Sequence, residues 1–463
     1  MSVFTVSAIC LVALVYSTMF IIARKGRWLF VFPFTMVLVQ YYLYFRHMEA
    51  SAKTVLADLS IGLSVIIYFL AFFWGFSLLS EPYVTKTANK YFLLPEPLRH
   101  HIMSRLQFYI VILSVLFLVF YWRWRIQLYG SFTNAALSMY SRFSEIEDTR
   151  LNISGRLSML LYQATSIFLS YRFFQVVIGK KHQVFGFIDF ICAVLLMTSI
   201  ATTGIRGRTF FIPSMLIYAV FIAYALQGQV QIRFKSRMYA VLLCCLGVVL
   251  VMTLSSIRGI RYDSFDEFVN DFNNENLFQG LYHVLLIGES EKHSGPKTPA
   301  DIVAQSMDMY GNNVPFLGLY YTPYTIIANP VPRALWDSKP MGFGRMFVLE
   351  YYGLEDSKHS VGAGTFGEGY AAYGYVGGIA YTILFATLVG MATRFCVSLL
   401  KNAVFSIEHW IFALHFLKMS ILFVRGDMLS AWAQTVYPLV VTIMCLFTIN
   451  LVYYTTLRRR RAY

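Results

Sequence analysis

The chain has 463 residues, of which 57% are hydrophobic and only 13% carry a formal charge, where a soluble domain carries roughly 25%. Charge this sparse excludes an ordinary water-exposed fold and points to a surrounding medium that cannot solvate ions, a bilayer. The net charge of +14 invites a nucleic-acid reading. Nucleic-acid binders, however, gather their basic residues into a surface patch, and here they are scattered over short segments between apolar runs.

A helix needs about 20 apolar residues to cross a hydrocarbon core of roughly 30 Å, and a helix satisfies its own backbone there. Eleven runs qualify, at 3–23, 28–45, 54–80, 106–122, 159–178, 184–203, 209–226, 239–257, 372–393, 404–424 and 434–455. The expected fold is therefore an all-α polytopic membrane protein with about eleven transmembrane helices. Arg24, Lys25 and Arg27 follow the first run rather than precede it, so that run reads as a permanent span and not as a cleavable signal. A twelfth span, or a re-entrant piece inside the longest loop, is compatible with the same pattern.

Basic residues in short loops set orientation. One side collects Arg24, Lys25, Arg27, Lys86, Lys90, Arg99, Arg105, Lys180, Lys181, Arg233, Lys235, Arg237, Arg394, Lys401 and the tail Arg458–Arg461, against Glu81, Glu96 and Glu408. With an odd number of spans, the amino terminus is expected outside and the basic tail in the cytoplasm. Cys10, Cys192, Cys244, Cys245, Cys396 and Cys445 fall in apolar runs or in a short cytoplasmic loop, so no disulfide and no zinc site is expected.

Three regions follow: spans one to eight over 1–257, a large outward loop over 258–371, and the last three spans with the basic tail over 372–463. A second outward segment, 123–158, is polar and aromatic and carries Arg123, Arg125, Arg142, Arg150 and Arg156. Within the large loop, Ser264 and Glu267 form a capping box, and Thr298-Pro299 with Asp301 reads as a helix start. NPVPRALWDSKP and SVGAGTFGEGYAAYGYVGG are rich in Pro and Gly and are not expected to form long helices. A loop of this length without a fold of its own is usually functional.

Arginines recur at the outer ends of the spans: Arg206 and Arg208 in GIRGR, Arg258 and Arg261 in SSIRGIRYD, Arg333 in VPRALW, and Arg425 in the RGD turn. The positive-inside tendency disfavours them there. A permanently charged guanidinium suits phosphate or carboxylate at headgroup level, and lipid headgroups or nearby acids are the competing partners. His359, Glu368, Asp263, Asp266 and Asp427 are candidate proton acceptors, with an ordinary hydrogen-bonding surface role as the alternative. Asp58, Arg172, Asp189 and Lys418 lie in or near spans. Such groups are functional candidates by default, but most sit near helix ends, where snorkelling is expected. Lys418 is the best candidate for a bundle interior. No P-loop, HExxH, GxSxG or paired-cysteine motif occurs, and Glu355-Asp356 is the only adjacent acidic pair late in the loop. Phosphate chemistry here would rest on arginine, with no metal or other cofactor expected.

VPRALWDSKP followed by GTFGEGYAAYGYVGG resembles the Wzy-type oligosaccharide repeat-unit polymerases. Members of that family show a Pro-Arg-x-x-Trp-x-x-Lys-Pro stretch and then Gly-Glu-x-Tyr-x-x-x-Gly. The GIRGR and RGD turns look like its recurring arginine positions, although the turn at Arg206 departs from the Arg-to-Gly spacing of some members. The motifs cover mainly 200–210, 255–262, 329–375 and 423–428.

The resemblance implies a GT-C-like bundle in the bacterial inner membrane and transfer of a growing glycan from undecaprenyl diphosphate to another lipid-linked repeat unit, in O-antigen or related polysaccharide synthesis. It implies Arg258, Arg261, Arg206 and Arg425 as stabilisers of the diphosphate charge and Arg333 as a substrate-orienting group, with Arg208 beside Arg206. His359 or Glu368 would accept the proton. Trp336, with Tyr320, Tyr321, Tyr324, Tyr351 and Tyr352, would stack on sugars, unless these rings are membrane-interface residues. A chain-length regulator is the implied protein partner, and nucleic acid is not expected. Rival readings are an O-antigen ligase-type transferase, a polysaccharide flippase or exporter, and a non-catalytic partner in a glycan synthesis complex. Transporters often show repeats and broken helices at the midplane, and no internal repeat is evident here.

Overall fold

The structure is a computed structural model that describes residues 55–79, 94–132, 135, 153–178, 185–202, 209, 211–227, 234–256, 299–331, 335–336, 338–353, 361–401, 406–412, 414, 423 and 428–460. The helices are α1 Val55–Leu78, α2 Glu96–Ser104, α3 Leu106–Tyr129, α4 Ile153–Val177, α5 Phe187–Ala201, α6 Phe211–Gln227, α7 Phe234–Ser256, α8 Pro299–Met309, α9 Tyr321–Ala328, α10 Phe343–Tyr352, α11 Gly364–Lys401 and α12 Met428–Arg460. Among the described residues no strand forms. Four helical stretches are long and apolar enough to cross a membrane, at Leu59–Leu78, Leu106–Tyr129, Gly364–Phe395 and Met428–Tyr453, the make-up of a helical membrane protein. The runs at 3–23 and 28–45 lie outside the described residues, as does most of 404–424. The chain divides into two compact units, one holding α2 to α7 and the other α1 with α8 to α12.

In the first unit α3 packs on α4 and α5, α4 on α6, and α7 on α5 and α6. Helix α3 runs to Tyr129, two turns beyond the expected end of its span. Arg123 and Arg125 are therefore helical rather than part of an outward loop. Arg125 is buried, donating from Nη2 to the Ala135 carbonyl at 2.7 Å and the Thr202 carbonyl at 3.1 Å, with its guanidinium over the Tyr129 ring. Thr202 closes α5, so the cation also meets the negative end of that helix dipole.

Arg172 and Asp189 overturn the snorkelling expectation. Arg172 Nε lies 3.0 Å from Asp189 Oδ2, and both side chains are buried. Arg172 Nη2 also donates to Gln107 Oε1 at 3.0 Å, and Asp189 accepts the Gly186 amide at the start of α5. Pairing inside the bundle meets a need that a bilayer-facing charge would have to meet by reaching for the interface. The side chains of Asp58 and Lys418 lie outside the described residues.

The second unit is built on the seam between α1 and α11. A Cβ added to Gly75 would stand 2.1 Å from the Thr387 carbonyl oxygen, and one on Gly390 would stand 2.1 Å from that of Phe72. Small residues let membrane helices approach this closely, where packing replaces the hydrophobic drive that lipid does not supply. The seam pairs Ala71 with Thr387 and Leu79 with Arg394, so α1 and α11 run parallel. As third and ninth spans of an eleven-span chain they would cross in the same sense. Gly390→Leu should destabilise this unit by about 2–3 kcal/mol through overpacking against backbone that cannot yield. Thermal unfolding in detergent would register it, with Val376→Leu at an exposed site of the same helix as the neutral control.

Helix α8 begins at Pro299, where the sequence places a helix start, and packs against α11 and α1. Helix α9 packs on α12. Tyr310 donates to Glu350 at 2.9 Å and Tyr352 to Gln305 at 2.9 Å, tying α10 to α8 and its end.

Candidate functional site

The Gly-rich stretch that the sequence marks as unfit for a long helix is helical over 364–372 and again from 375, with a break between. Tyr373 (φ −160°, ψ 45°) and Gly374 (φ 59°, ψ −151°) are non-helical, and the positive φ at position 374 favours glycine. The chain folds back there. Gly369 meets Gly377 so closely that a Cβ on Gly377 would lie 2.2 Å from the Gly369 carbonyl oxygen. The carbonyls that the break frees at Ala371 and Ala372 accept the amides of Leu317 (3.0 Å) and Gly318 (2.9 Å), which satisfies the helix end.

Glu368 projects from this short helix into the protein and is 1% exposed. Its Oε1 accepts the Thr322 hydroxyl at 2.5 Å, and its Oε2 accepts the Met428 amide at 2.7 Å. Thr322 stands in the first turn of α9, and Met428 is the first residue of α12. A carboxylate at a helix amino terminus is favoured both by the unpaired amides and by the helix dipole. Tyr381 lies close by, donating to the Leu319 carbonyl at 2.8 Å. Glu368 thus joins three helices at one buried point.

The other end of α9 is held by a cation. Lys339 Nζ donates to the carbonyls of Asn329 at 2.6 Å and Val331 at 2.9 Å, the freed carbonyls just past the last turn of α9, where positive charge is favoured. Tyr437 of α12 donates to the Ile326 carbonyl. Tyr321 donates to the Met341 carbonyl at 2.6 Å, fixing the return of the chain towards α10. Trp336 packs edge-to-face on Tyr324 with ring centres 5.9 Å apart and donates from its indole to Ser338 at 3.0 Å. Burial, reinforced by the neighbouring Glu350, pushes the Tyr310 hydroxyl above the usual tyrosine range. Tyr310 therefore remains a neutral donor at physiological pH.

Of the residues singled out in the sequence for the site, Glu368, Trp336, Tyr320, Tyr321, Tyr324, Tyr351 and Tyr352 are described. Glu368 and Trp336 adjoin α9, Tyr320, Tyr321 and Tyr324 lie at its start or on it, and Tyr351 and Tyr352 end α10. Arg206, Arg208, Arg258, Arg261, Arg333, His359 and Arg425 lie outside the described residues. Sequence reasoning missed Thr322, Lys339, Tyr381 and Tyr437. Lys339 had a signal, since it closes the VPRALWDSKP stretch; a threonine or tyrosine among so many carried none.

No family model matches the chain. No curated protein and no solved structure matches it either.

Proposed function

We propose that the chain is a membrane glycosyltransferase that polymerises undecaprenyl-diphosphate-linked repeat units into O-antigen or a related surface polysaccharide at the periplasmic face of the inner membrane. One observation carries the reading: three stretches with the polymerase-like residues meet at α9. Lys339 of VPRALWDSKP holds its carboxyl end, Glu368 of GEGYAAYG holds its first turn, and the same Glu368 accepts the amide of Met428, directly after the RGD turn.

In this reading the acceptor sugar's hydroxyl attacks the anomeric carbon of the donor glycan. The bond between that carbon and the phosphate oxygen breaks, and undecaprenyl diphosphate leaves with the bonding electron pair. Arg258, Arg261, Arg206 and Arg425 stabilise the charge that gathers on the phosphate oxygens, in a site poor in water. Arg208 and Arg333 orient substrate. His359 accepts the hydroxyl proton. Both Glu368 oxygens are engaged and the side chain is buried, so its part is positioning: it holds the start of α12, three residues beyond Arg425. No cofactor enters, and a chain-length regulator is the protein partner proposed.

The test is a surface-glycan ladder from cells that depend on this chain, carrying Arg258→Ala or Arg258→Lys with membrane insertion verified. Collapse of the ladder to a single repeat unit in both variants is the expected outcome. Loss of all surface glycan would move the reading to ligation or export, and an unchanged ladder would remove Arg258 from the site.

A further inference from the structure

Residues 309–332 contain no Asp, Glu, Lys, Arg or His, although they belong to the loop that the sequence assigns to water. Helix α9 lies in this stretch, with its hydroxyls turned inward and its exposed side apolar and aromatic. The inward face carries Thr322, 1% exposed, and Thr325, whose hydroxyls are used on Glu368 and on the Thr322 carbonyl, beside Ile326 and Ala328. The outward side and its flanks carry Tyr320, Tyr324, Ile327 and Leu335, with Tyr320, Ile327 and Leu335 between 73% and 79% exposed. A helix surrounded by water does the reverse.

Helix α9 adjoins α12, which is long and apolar enough to cross a membrane. Tyr437, which donates to Ile326, precedes by one turn the point where α12 begins its exposed apolar series Val440, Val441, Met444 and Phe447. Tyr and Trp rings with one polar edge, as in the Tyr324–Trp336 pair, are the residues that settle at a membrane–water boundary.

We infer that α9 and its flanks lie against the bilayer, in the leaflet at the amino-terminal end of α12, with Tyr320, Tyr324, Ile327 and Leu335 in contact with lipid. The hydroxyl-bearing face then packs inward because the outward face has no water to serve it. This assignment stands apart from the polymerase reading and survives its failure.

The test uses the full chain in nanodiscs of phosphatidylethanolamine and phosphatidylglycerol. Ile327→Cys, on a background with the six native cysteines replaced by serine or alanine, carries a nitroxide label. Its collision rate with oxygen, which partitions into lipid, is compared with that of a water-soluble nickel chelate. Oxygen should win several-fold, as it should at Val441→Cys on the apolar face of α12. A nickel-favoured label, or one that neither reagent reaches, overturns the inference in favour of water or of a covering protein surface. Should the cysteine-free background fail to insert, p-benzoylphenylalanine in place of Ile327 in the otherwise natural chain decides. Adducts of lipid mass support the assignment; cross-links to protein, or no cross-link, overturn it.

Discussion

Glu368→Ala is expected to cost about 3–5 kcal/mol and to abolish the polysaccharide ladder, whereas Glu368→Gln should keep most of both. Truncation leaves the Met428 amide and the Thr322 hydroxyl buried without their acceptor. Each hydrogen bond to such a group contributes about 1.5–3 kcal/mol, and a cavity adds to the loss. Glutamine keeps the size and two polar atoms. Its carbonyl accepts the Met428 amide, and its NH2 turns to the Thr322 oxygen, which accepts as readily as it donates. The pair of variants separates positioning from chemistry, because a proton acceptor does not survive conversion to an amide. Thermal unfolding together with the glycan ladder gives the answer. A stable Glu368→Gln protein with no ladder would return Glu368 to the chemical step.

The second large effect belongs to α4 and α5. Asp189→Ala should destabilise by about 3–5 kcal/mol, because it removes the counter-charge of a buried guanidinium. It also deletes the acceptor for the Gly186 amide at the start of α5. Joint replacement, Arg172→Met with Asp189→Leu, should recover most of the loss, since a buried ion pair returns little beyond its own desolvation. A single variant within about 1 kcal/mol of the natural protein would mean that the bundle admits water at this point.

Composition and run lengths made the helical membrane architecture legible, and the starts of α1, α3 and α8 fall within a few residues of their expected places. Helix ends were harder. Arg125 reads as a loop residue because an arginine normally ends an apolar run, and contacts that include those to Ala135, Thr202 and Tyr129 make it affordable inside. The Arg172–Asp189 pair was hidden for a related reason: two charges 17 positions apart in the sequence look like independent helix-end residues until their helices pack. Glu368 stood out in the sequence, but its partners did not, because Thr322 and Met428 reach it only once the chain reverses at Tyr373 and Gly374. That reversal falls in a Gly-rich run that the sequence marks as unfit for a long helix without showing where the chain turns. The charge-free stretch at 309–332 was visible all along, and its meaning needed the inward turn of the threonines.

The α1–α11 seam has a consequence for biogenesis. Ala71 and Thr387, which meet across it, are 316 positions apart. At about 5–20 residues per second of synthesis, α1 waits roughly 15–60 s in the membrane before the helix made to fit it has emerged. During that interval the groove at Gly75 has no partner helix and must be covered by lipid or by the insertion machinery. Truncation before α11 would leave that groove open for good, and such chains should be cleared by membrane proteases while the full-length protein persists.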